Sequence, residues 1–174
     1  VAEVPNNPFL EQALISAADL LYEREEYAEA SGYYERLEKT AVTSDMRVAA
    51  LKGQLRAAYQ EGDARKSIEV ARKIRNSAGM PEELNREAVF ISAKALYSLN
   101  QYDEALADFR KVATEIVSIE GAESKYRVAE ILFLRGNTDE AEKVVNQFIG
   151  QNSPHQYWMA KMFLLLADIS IKKG

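Results

Sequence analysis

The amino-acid sequence contains no cysteine, one histidine and one tryptophan among 174 residues. The absence of cysteine excludes disulfide bonds, thiolate catalysis and zinc sites with cysteine ligands. Proline and glycine are also scarce, at four and eight residues, while alanine, leucine and glutamate are abundant. This composition favours helices over strands.

Long hydrophobic runs are missing as well. The longest run, Met162 to Ala167, has six residues and is bracketed by Lys161 and Asp168, whereas a membrane-spanning helix needs about 20. The sequence therefore predicts no membrane span. The first residues, Val-Ala-Glu-Val-Pro, include neither Met nor a signal-like apolar region, so we expect a processed or excised segment.

The net charge of −5 argues against a nucleic-acid partner, and we predict none. Residues 46–80 are nevertheless basic, with eight basic and three acidic side chains. RNA binding through this stretch is the alternative that stays open. The residues that would carry it are Arg65, Lys66, Arg72, Lys73 and Arg75.

Four similar short segments recur along the chain, and their last residues are Ala30, Ser67, Ala105 and Ala141. The spacings are 37, 38 and 36 residues, and amphipathic helical patterns lie on both sides of each segment. The pattern therefore predicts that each unit consists of a helix, a tight turn and a second helix. Because one such hairpin cannot bury its apolar face alone, stacked units are expected to form an all-α solenoid.

Turn residues mark the ends of the predicted helices. Gly62, Asn100 and Gly136 occur where first helices should end in a left-handed residue, and Asp63 and Thr138 are predicted to cap the second helices. Proline and two glutamates at 81–83 suit the start of the third unit. The predicted units span residues 8–43, 44–79, 80–119, 120–152 and an incomplete 153–174.

This pattern resembles the tetratricopeptide repeat. That family favours a small residue midway along the first helix, an aromatic residue after the turn, Ala three positions later and an aromatic or apolar residue four beyond that. The matching residues are Ala18, Tyr27, Ala30 and Tyr34; Leu55, Ala64, Ser67 and Ala71; Ala93, Tyr102, Ala105 and Phe109; and Ala129, Thr138, Ala141 and Val145. The resemblance implies one right-handed helical-hairpin solenoid over residues 1–174, with four helix pairs and a terminal unpaired helix.

The resemblance also implies that function lies in a concave groove lined by the first helices. There we expect a peptide or partner helix to bind, without enzymatic activity, metal or cofactor; a bacterial envelope module for a glycan or cell-wall ligand is the alternative. The predicted groove residues are Tyr22, Lys52, Arg56, Tyr59, Phe90, Lys94, Tyr97, Tyr126 and Phe133. For the ladder of Tyr22, Tyr59, Tyr97 and Phe133, packing inside the repeat and contact with a partner both stay open. The lysines and Arg56 either contact a partner or are solvated or paired with neighbouring acids.

Catalytic patterns are scarce. His155 follows Ser-Pro and is expected in the first, solvated turn of a helix, with no nucleophile pattern to accompany it. Clustered carboxylates fall at the repeat turns and on second helices, where solvated charge is the expected role. Neither GxGxxG nor GxxxxGK[ST] occurs. The sequence therefore predicts a protein that is not an enzyme.

The last residues read as the first helix of a fifth unit whose second helix is missing. Ser153 is predicted as its N-cap and Pro154 as its first-turn residue. Because only the preceding unit can cover its apolar side chains, we expect self-association through residues 154–173 and a natural chain that continues beyond Gly174. General resemblance to bacterial repeat proteins suggests a periplasmic or envelope location.

Overall fold

The computed structural model describes residues 8–174. Within that range the chain forms nine α-helices and no strand. Their bounds are α1 Pro8–Glu23, α2 Tyr27–Thr40, α3 Ser44–Glu61, α4 Ala64–Asn76, α5 Glu82–Ser98, α6 Tyr102–Val112, α7 Ile119–Leu134, α8 Thr138–Gly150 and α9 Gln156–Lys173. The prediction of an all-α helical-repeat fold is confirmed.

Left-handed residues end the first helices, as predicted. Gly62, Asn100 and Gly136 have φ angles of 79°, 57° and 81°, and Glu25 takes the same role after α1 with a φ of 63°. A residue in this conformation turns the chain sharply enough for the second helix to begin two residues later. The short turns within these pairs thus depend on local backbone chemistry.

The predicted caps have mixed outcomes. Asp63 caps α4 as expected, because its Oδ1 accepts a 2.9 Å hydrogen bond from the backbone N–H of Lys66. The prediction for Thr138 is wrong. Thr138 is the first residue of α8, the residue before the helix is Asn137, and the Thr138 hydroxyl donates to the carbonyl of Gly136 at 3.3 Å.

The predicted start of α9 is also wrong, by two residues. The helix begins at Gln156, with His155 before it. The hydroxyl of Ser153 donates to the carbonyl of Ile116 at 3.2 Å and accepts from the backbone N–H of His155 at 3.4 Å. Ser153 therefore connects the α8–α9 and α6–α7 turns and does not cap the helix.

The chain divides into two compact units, Val1–Leu99 and Asn100–Gly174. In the first, α2 packs against α1 and α3, and α4 packs against α3 and α5. In the second, α7 packs against α6 and α8, and α9 packs against α7 and α8. The five sequence units, and their assembly into a single array, stay predictions.

Small residues lie at the centres of the helix crossings. Ala18 and Ala30 are fully buried where α1 meets α2, in a cluster with Tyr34. Leu51, Leu55, Val70 and Ile74 fill the core of the next pair together with residues of α5. In the second unit the buried residues include Ala105, Phe109, Ala129, Ala141 and Phe148. Short side chains let the helix axes approach, and larger ones fill the spaces beside the crossing.

Candidate functional site

Seven of the nine predicted groove residues lie on the first helices of Val1–Leu99. Tyr22 is on α1, and the others occur at matching intervals on α3 (Lys52, Arg56, Tyr59) and α5 (Phe90, Lys94, Tyr97). Intervals of four and three residues keep side chains on one face of a helix. Since α3 packs against both α1 and α5, these seven residues form what we call the first-helix face.

A lysine joins two rings on this face. The Nζ of Lys94 lies 5.4 Å from the centroid of the Tyr59 ring and 5.2 Å from that of Phe90. All three side chains are half-buried. An ammonium group over an aromatic ring gains roughly 0.5–1 kcal/mol at an exposed site. The cluster therefore holds a positive charge between two aromatic surfaces that remain partly open to solvent.

Arg56 is held by an acid that sequence reasoning missed. Its Nε and Nη2 donate to the two carboxylate oxygens of Glu87 at 2.6 and 3.0 Å. Hydrogen bonding to Glu87 raises the pKa of the Arg56 guanidinium. Arg56 is thus oriented and its charge is balanced, whereas Lys52 is exposed on the preceding turn of α3.

The tyrosines of this face also belong to the edge of the core. Tyr22 packs against the cluster of Ala18, Ala30 and Tyr34 and contacts the Tyr27 ring edge-to-face, with centroids 5.2 Å apart. Tyr59 packs against the α3–α5 core cluster. Each ring is only half-buried, so packing inside the repeat and an open surface for a partner occur together in the same side chain.

The two remaining predicted residues, in Asn100–Gly174, are covered by α9. Tyr126 is only 5% exposed; its ring centroid is 5.5 Å from that of Trp158 and 5.3 Å from the Nζ of Lys161. Lys172 lies above the half-buried ring of Phe133, with its Nζ 4.7 Å from the centroid. Both rings therefore face lysines of α9.

A cleft lies among α6, α7 and α8. This cleft measures about 240 Å³ and its lining includes Arg110, Lys125 and Glu140. Arg110 Nη2 donates to Glu140 Oε1 at 2.8 Å, so two of its charged residues already satisfy each other.

His155 is in contact with the backbone. Its Nε2 lies 2.8 Å from the carbonyl oxygen of Val117; since a carbonyl can only accept, Nε2 carries the proton. Among residues 8–174 there is no group of three His, Cys, Asp or Glu side chains placed to hold a metal ion. No helix in the same range is long and apolar enough to cross a membrane.

Glu87 shares a sequence signal with other ion pairs. It is 31 residues from Arg56, and separations of 30 to 32 residues also join Lys66 to Glu35, Arg110 to Glu140, Arg135 to Asp103 and Lys173 to Glu142. A separation slightly below the repeat length places the two charges on neighbouring helix pairs. Opposite charges at that interval would have indicated these pairs from the sequence.

Helix pairs, left-handed turn residues and small crossing residues together define a helical-repeat protein. Residues 15–81 and 92–156 match the family model described as tetratricopeptide repeat. The chain belongs to the tetratricopeptide repeat family. These repeats generally mediate protein–protein interactions, and proteins of the family are typically non-enzymatic scaffolds.

Solved structures show the same fold. A tetratricopeptide repeat protein from Parabacteroides merdae ATCC 43184 matches with a TM-score of 0.65 and 18% identity, over 95% of this chain and 60% of that one. A putative kinesin light chain from Podosopora anserina with nearly identical TPR-like repeats matches with a TM-score of 0.59 and 14% identity, over 94% and 98%. The chain thus spans about 60% of the length of the Parabacteroides protein. No curated protein matches the sequence.

Proposed function

We propose that this chain is a non-enzymatic interaction module that binds a peptide or partner helix on the first-helix face of Val1–Leu99. The observation that carries the proposal is the cluster of Lys94 with Tyr59 and Phe90, at 5.4 and 5.2 Å. Half-buried rings already fixed by packing lose little entropy on binding. They offer apolar contact beside a cation.

The chemistry of this face favours a ligand that combines apolar side chains with an acidic or carbonyl group. The rings of Tyr22, Tyr59, Phe90 and Tyr97 supply the apolar contact. Lys94 and Lys52 supply cations, and Arg56 is paired with Glu87. A carboxylate beside either lysine would gain from its charge.

Tyr126 and Phe133 contribute to the proposed site only if the lysines of α9 move. Lys161 and Lys172 already lie over these rings, and Tyr126 is buried. A ligand on these rings would have to displace both contacts. Tyr59 and Phe90 are half-buried and so offer more open ring surface than the buried Tyr126, and we therefore place the principal binding site on the first-helix face.

The proposal can be tested by selecting ligands from a displayed random-peptide library against the whole chain. The affinity of the selected peptides is then measured for Lys94→Glu and Lys52→Glu, with Lys39→Glu as the control. Lys39 is an exposed lysine of the same unit but lies on the second helix α2. We expect at least a roughly tenfold loss for the first two variants, equivalent to about 1.4 kcal/mol, and little change for the control.

A matched aromatic pair checks the apolar contact. Tyr97→Ala should weaken the same peptides, while Tyr33→Ala should not, because Tyr33 is a half-buried tyrosine on α2. Circular dichroism reports whether each variant stays folded. Equal losses of affinity for Tyr97→Ala and Tyr33→Ala, or peptide affinities that neither lysine substitution changes, would mean that the binding surface lies elsewhere. Selection of no peptide, together with binding on a glycan array, would favour the envelope alternative.

A further inference from the structure

The cleft among α6, α7 and α8 has an apolar interior. Ala113 and Val128, the most buried residues of its lining, are 8% and 3% exposed, and the half-buried side chains of Ile116 and Val144 extend the apolar surface. Its volume of about 240 Å³ is below the roughly 300–1,000 Å³ of sites for drug-sized molecules. The cleft therefore has room for a small molecule with a compact apolar body.

The matching place in Val1–Leu99 is occupied by polar side chains. Val128 corresponds to Gln54, because each directly precedes the first-helix residue that matches the family pattern. Ala113 corresponds to Glu38, because each lies eight residues after the alanine that follows the turn. The two units thus place different side chains between the same three helices of the repeat.

The difference between these side chains accounts for the cleft. Gln54 is fully buried, and its Nε2 donates to Glu38 Oε2 at 2.8 Å and to the carbonyl oxygen of Tyr34 at 3.3 Å. Val128 and Ala113 are shorter and have no polar side-chain group. An apolar cleft therefore stands in Asn100–Gly174 where the first unit has a buried, hydrogen-bonded pair.

The lining of the cleft also carries a cation that is not neutralised. Lys125 is half-buried and has no hydrogen-bond or ion-pair partner among residues 8–174; the corresponding residue of α3 is the buried Leu51. Arg110 donates one N–H to Glu140 at 2.8 Å, and a guanidinium has five N–H donors. Arg110, Lys125 and Glu140 are the charged residues of the lining, so it carries one net positive charge.

We propose that this cleft is a second binding site of the chain and that its ligand is a small aliphatic monocarboxylate. The carboxylate accepts hydrogen bonds from Lys125 and from N–H groups of Arg110 that do not bond to Glu140. The aliphatic chain lies against Val128 and Val144, out of water. One negative charge on a compact apolar body matches both the charge and the apolar lining of the cleft.

This site is independent of the proposed peptide site. The cleft lies in Asn100–Gly174 and contains none of the residues of the first-helix face. Failure of either proposal therefore leaves the other unaffected, and the two can be tested separately on the same protein.

The first measurement is a titration of the whole chain with hexanoate, followed by methyl NMR. We expect the largest shifts at Val128, Val144 and Ile116 and a dissociation constant on the order of 1 mM. Acetate, which lacks the chain, and 1-hexanol, which lacks the charge, should each bind at least roughly tenfold more weakly. The proposal is overturned if these methyl groups do not respond to about 20 mM hexanoate, or if 1-hexanol binds as tightly.

The second measurement tests the cation with matched lysine variants. Lys125→Met should raise the dissociation constant of hexanoate roughly tenfold, because the carboxylate loses its unpaired cation. Lys143→Met is the control, since Lys143 is an exposed lysine of α8 outside the lining, and it should change the affinity little. Equal effects of the two variants would mean that hexanoate binds through general surface charge, which contradicts the proposed site.

The third measurement fills the cleft. Val144→Phe places a larger side chain at a half-buried position of the lining and should abolish hexanoate binding. Val117→Phe is the control, because Val117 is a 77% exposed valine of the same unit outside the lining. Circular dichroism checks that both variants are folded. A folded Val144→Phe that binds hexanoate as tightly as the unmodified protein would place the ligand elsewhere and overturn the proposal.

Discussion

The ring of Tyr34 occupies the space beside Gly53, where any other residue would carry a Cβ. A Cβ built on Gly53 would lie 2.4 Å from Cε1 of the ring. Tyr34 is 5% exposed, and its hydroxyl donates a 2.6 Å hydrogen bond to Asp19 Oδ1. The ring cannot move aside easily, because packing and this bond hold it. Glycine in the middle of α3 therefore permits the close contact with α2.

The first prediction contrasts two helical glycines. Gly53→Ala should destabilise the protein by about 1–3 kcal/mol, because overpacking outweighs the higher helix propensity of alanine. Gly32→Ala should stabilise it by up to about 1 kcal/mol, since a Cβ there meets nothing within 4 Å. Chemical denaturation of both variants checks the signs. A stabilising Gly53→Ala would show that the Tyr34 ring can yield.

The second prediction concerns Tyr34 in alkaline solution. Burial, followed by the hydrogen bond to Asp19, raises the pKa of Tyr34 well above its usual value of 10.0. A raised pKa means that its stabilising contribution is complete below pH 10 and is lost as the pH rises through the folded value. Ultraviolet absorbance should therefore show one of the nine tyrosines ionising only when the protein unfolds.

Tyr34→Phe should remove that late step and cost about 0.5–1.5 kcal/mol at neutral pH, since the bond to Asp19 is lost. The control is Tyr33→Phe, next to it on α2, which should change stability by less than about 0.5 kcal/mol. If one tyrosine of Tyr34→Phe still ionises only when the protein unfolds, the late ionisation belongs to another residue.

The third prediction concerns the end of α9. Lys173 Nζ lies 2.6 Å from Asp139 Oδ1 and 2.5 Å from Glu142 Oε2. The hydrogen bond from Lys173 lowers the pKa of Asp139 below 3.8, and the bond to Asp139 raises the pKa of Lys173 above 10.5. The contact thus stabilises the folded state between these values, and is lost as pH falls through the first folded pKa or rises through the second.

Carboxyl NMR of Asp139 measures this contact directly. Lys173→Gln should move its pKa up towards 3.8, whereas Lys172→Gln should not, because Lys172 lies over the Phe133 ring. If the pKa of Asp139 is the same in Lys173→Gln as in the unmodified protein, the ion pair does not persist in solution.

The fourth prediction compares the stability contributions of a buried and an exposed apolar residue of α9. Met162 is fully buried and Leu164 is 65% exposed. Met162→Ala should cost about 2–5 kcal/mol through lost burial and a cavity, while Leu164→Ala should cost less than about 0.5 kcal/mol. Trp158, the only tryptophan, reports unfolding by fluorescence. Comparable losses for the two variants would contradict the assigned orientation of α9.

Much of the fold could be predicted because it depends on local chemistry. Turn and cap residues affect only the few residues around them, and their amino-acid types can be recognised in the sequence. Examples are the left-handed residues Gly62, Asn100 and Gly136 and the cap at Asp63. The prediction for Thr138 failed because threonine is a good N-cap in general, whereas α8 begins at Thr138 itself, one residue earlier than predicted. A cap position that differs by one residue cannot be read from composition alone.

The candidate site was predictable only in part. Helical periodicity and the family resemblance placed Tyr59 and Lys94 on adjacent first helices, where the structure brings them together. The same reasoning could not show that Tyr126 is buried under Trp158, or that Glu87 holds Arg56. Those contacts depend on which side chain of the next repeat lies against each residue in the packed structure.

The sequence by itself determined the helical repeat, the turn positions and the small residues of the crossings, because each depends on periodicity or on the conformation of single residues. Only the tertiary structure decided that Tyr34 needs Gly53, that Ser153 connects two turns, and that Glu87 holds Arg56. Those features join side chains from separate helices, and their geometry depends on how the helices pack.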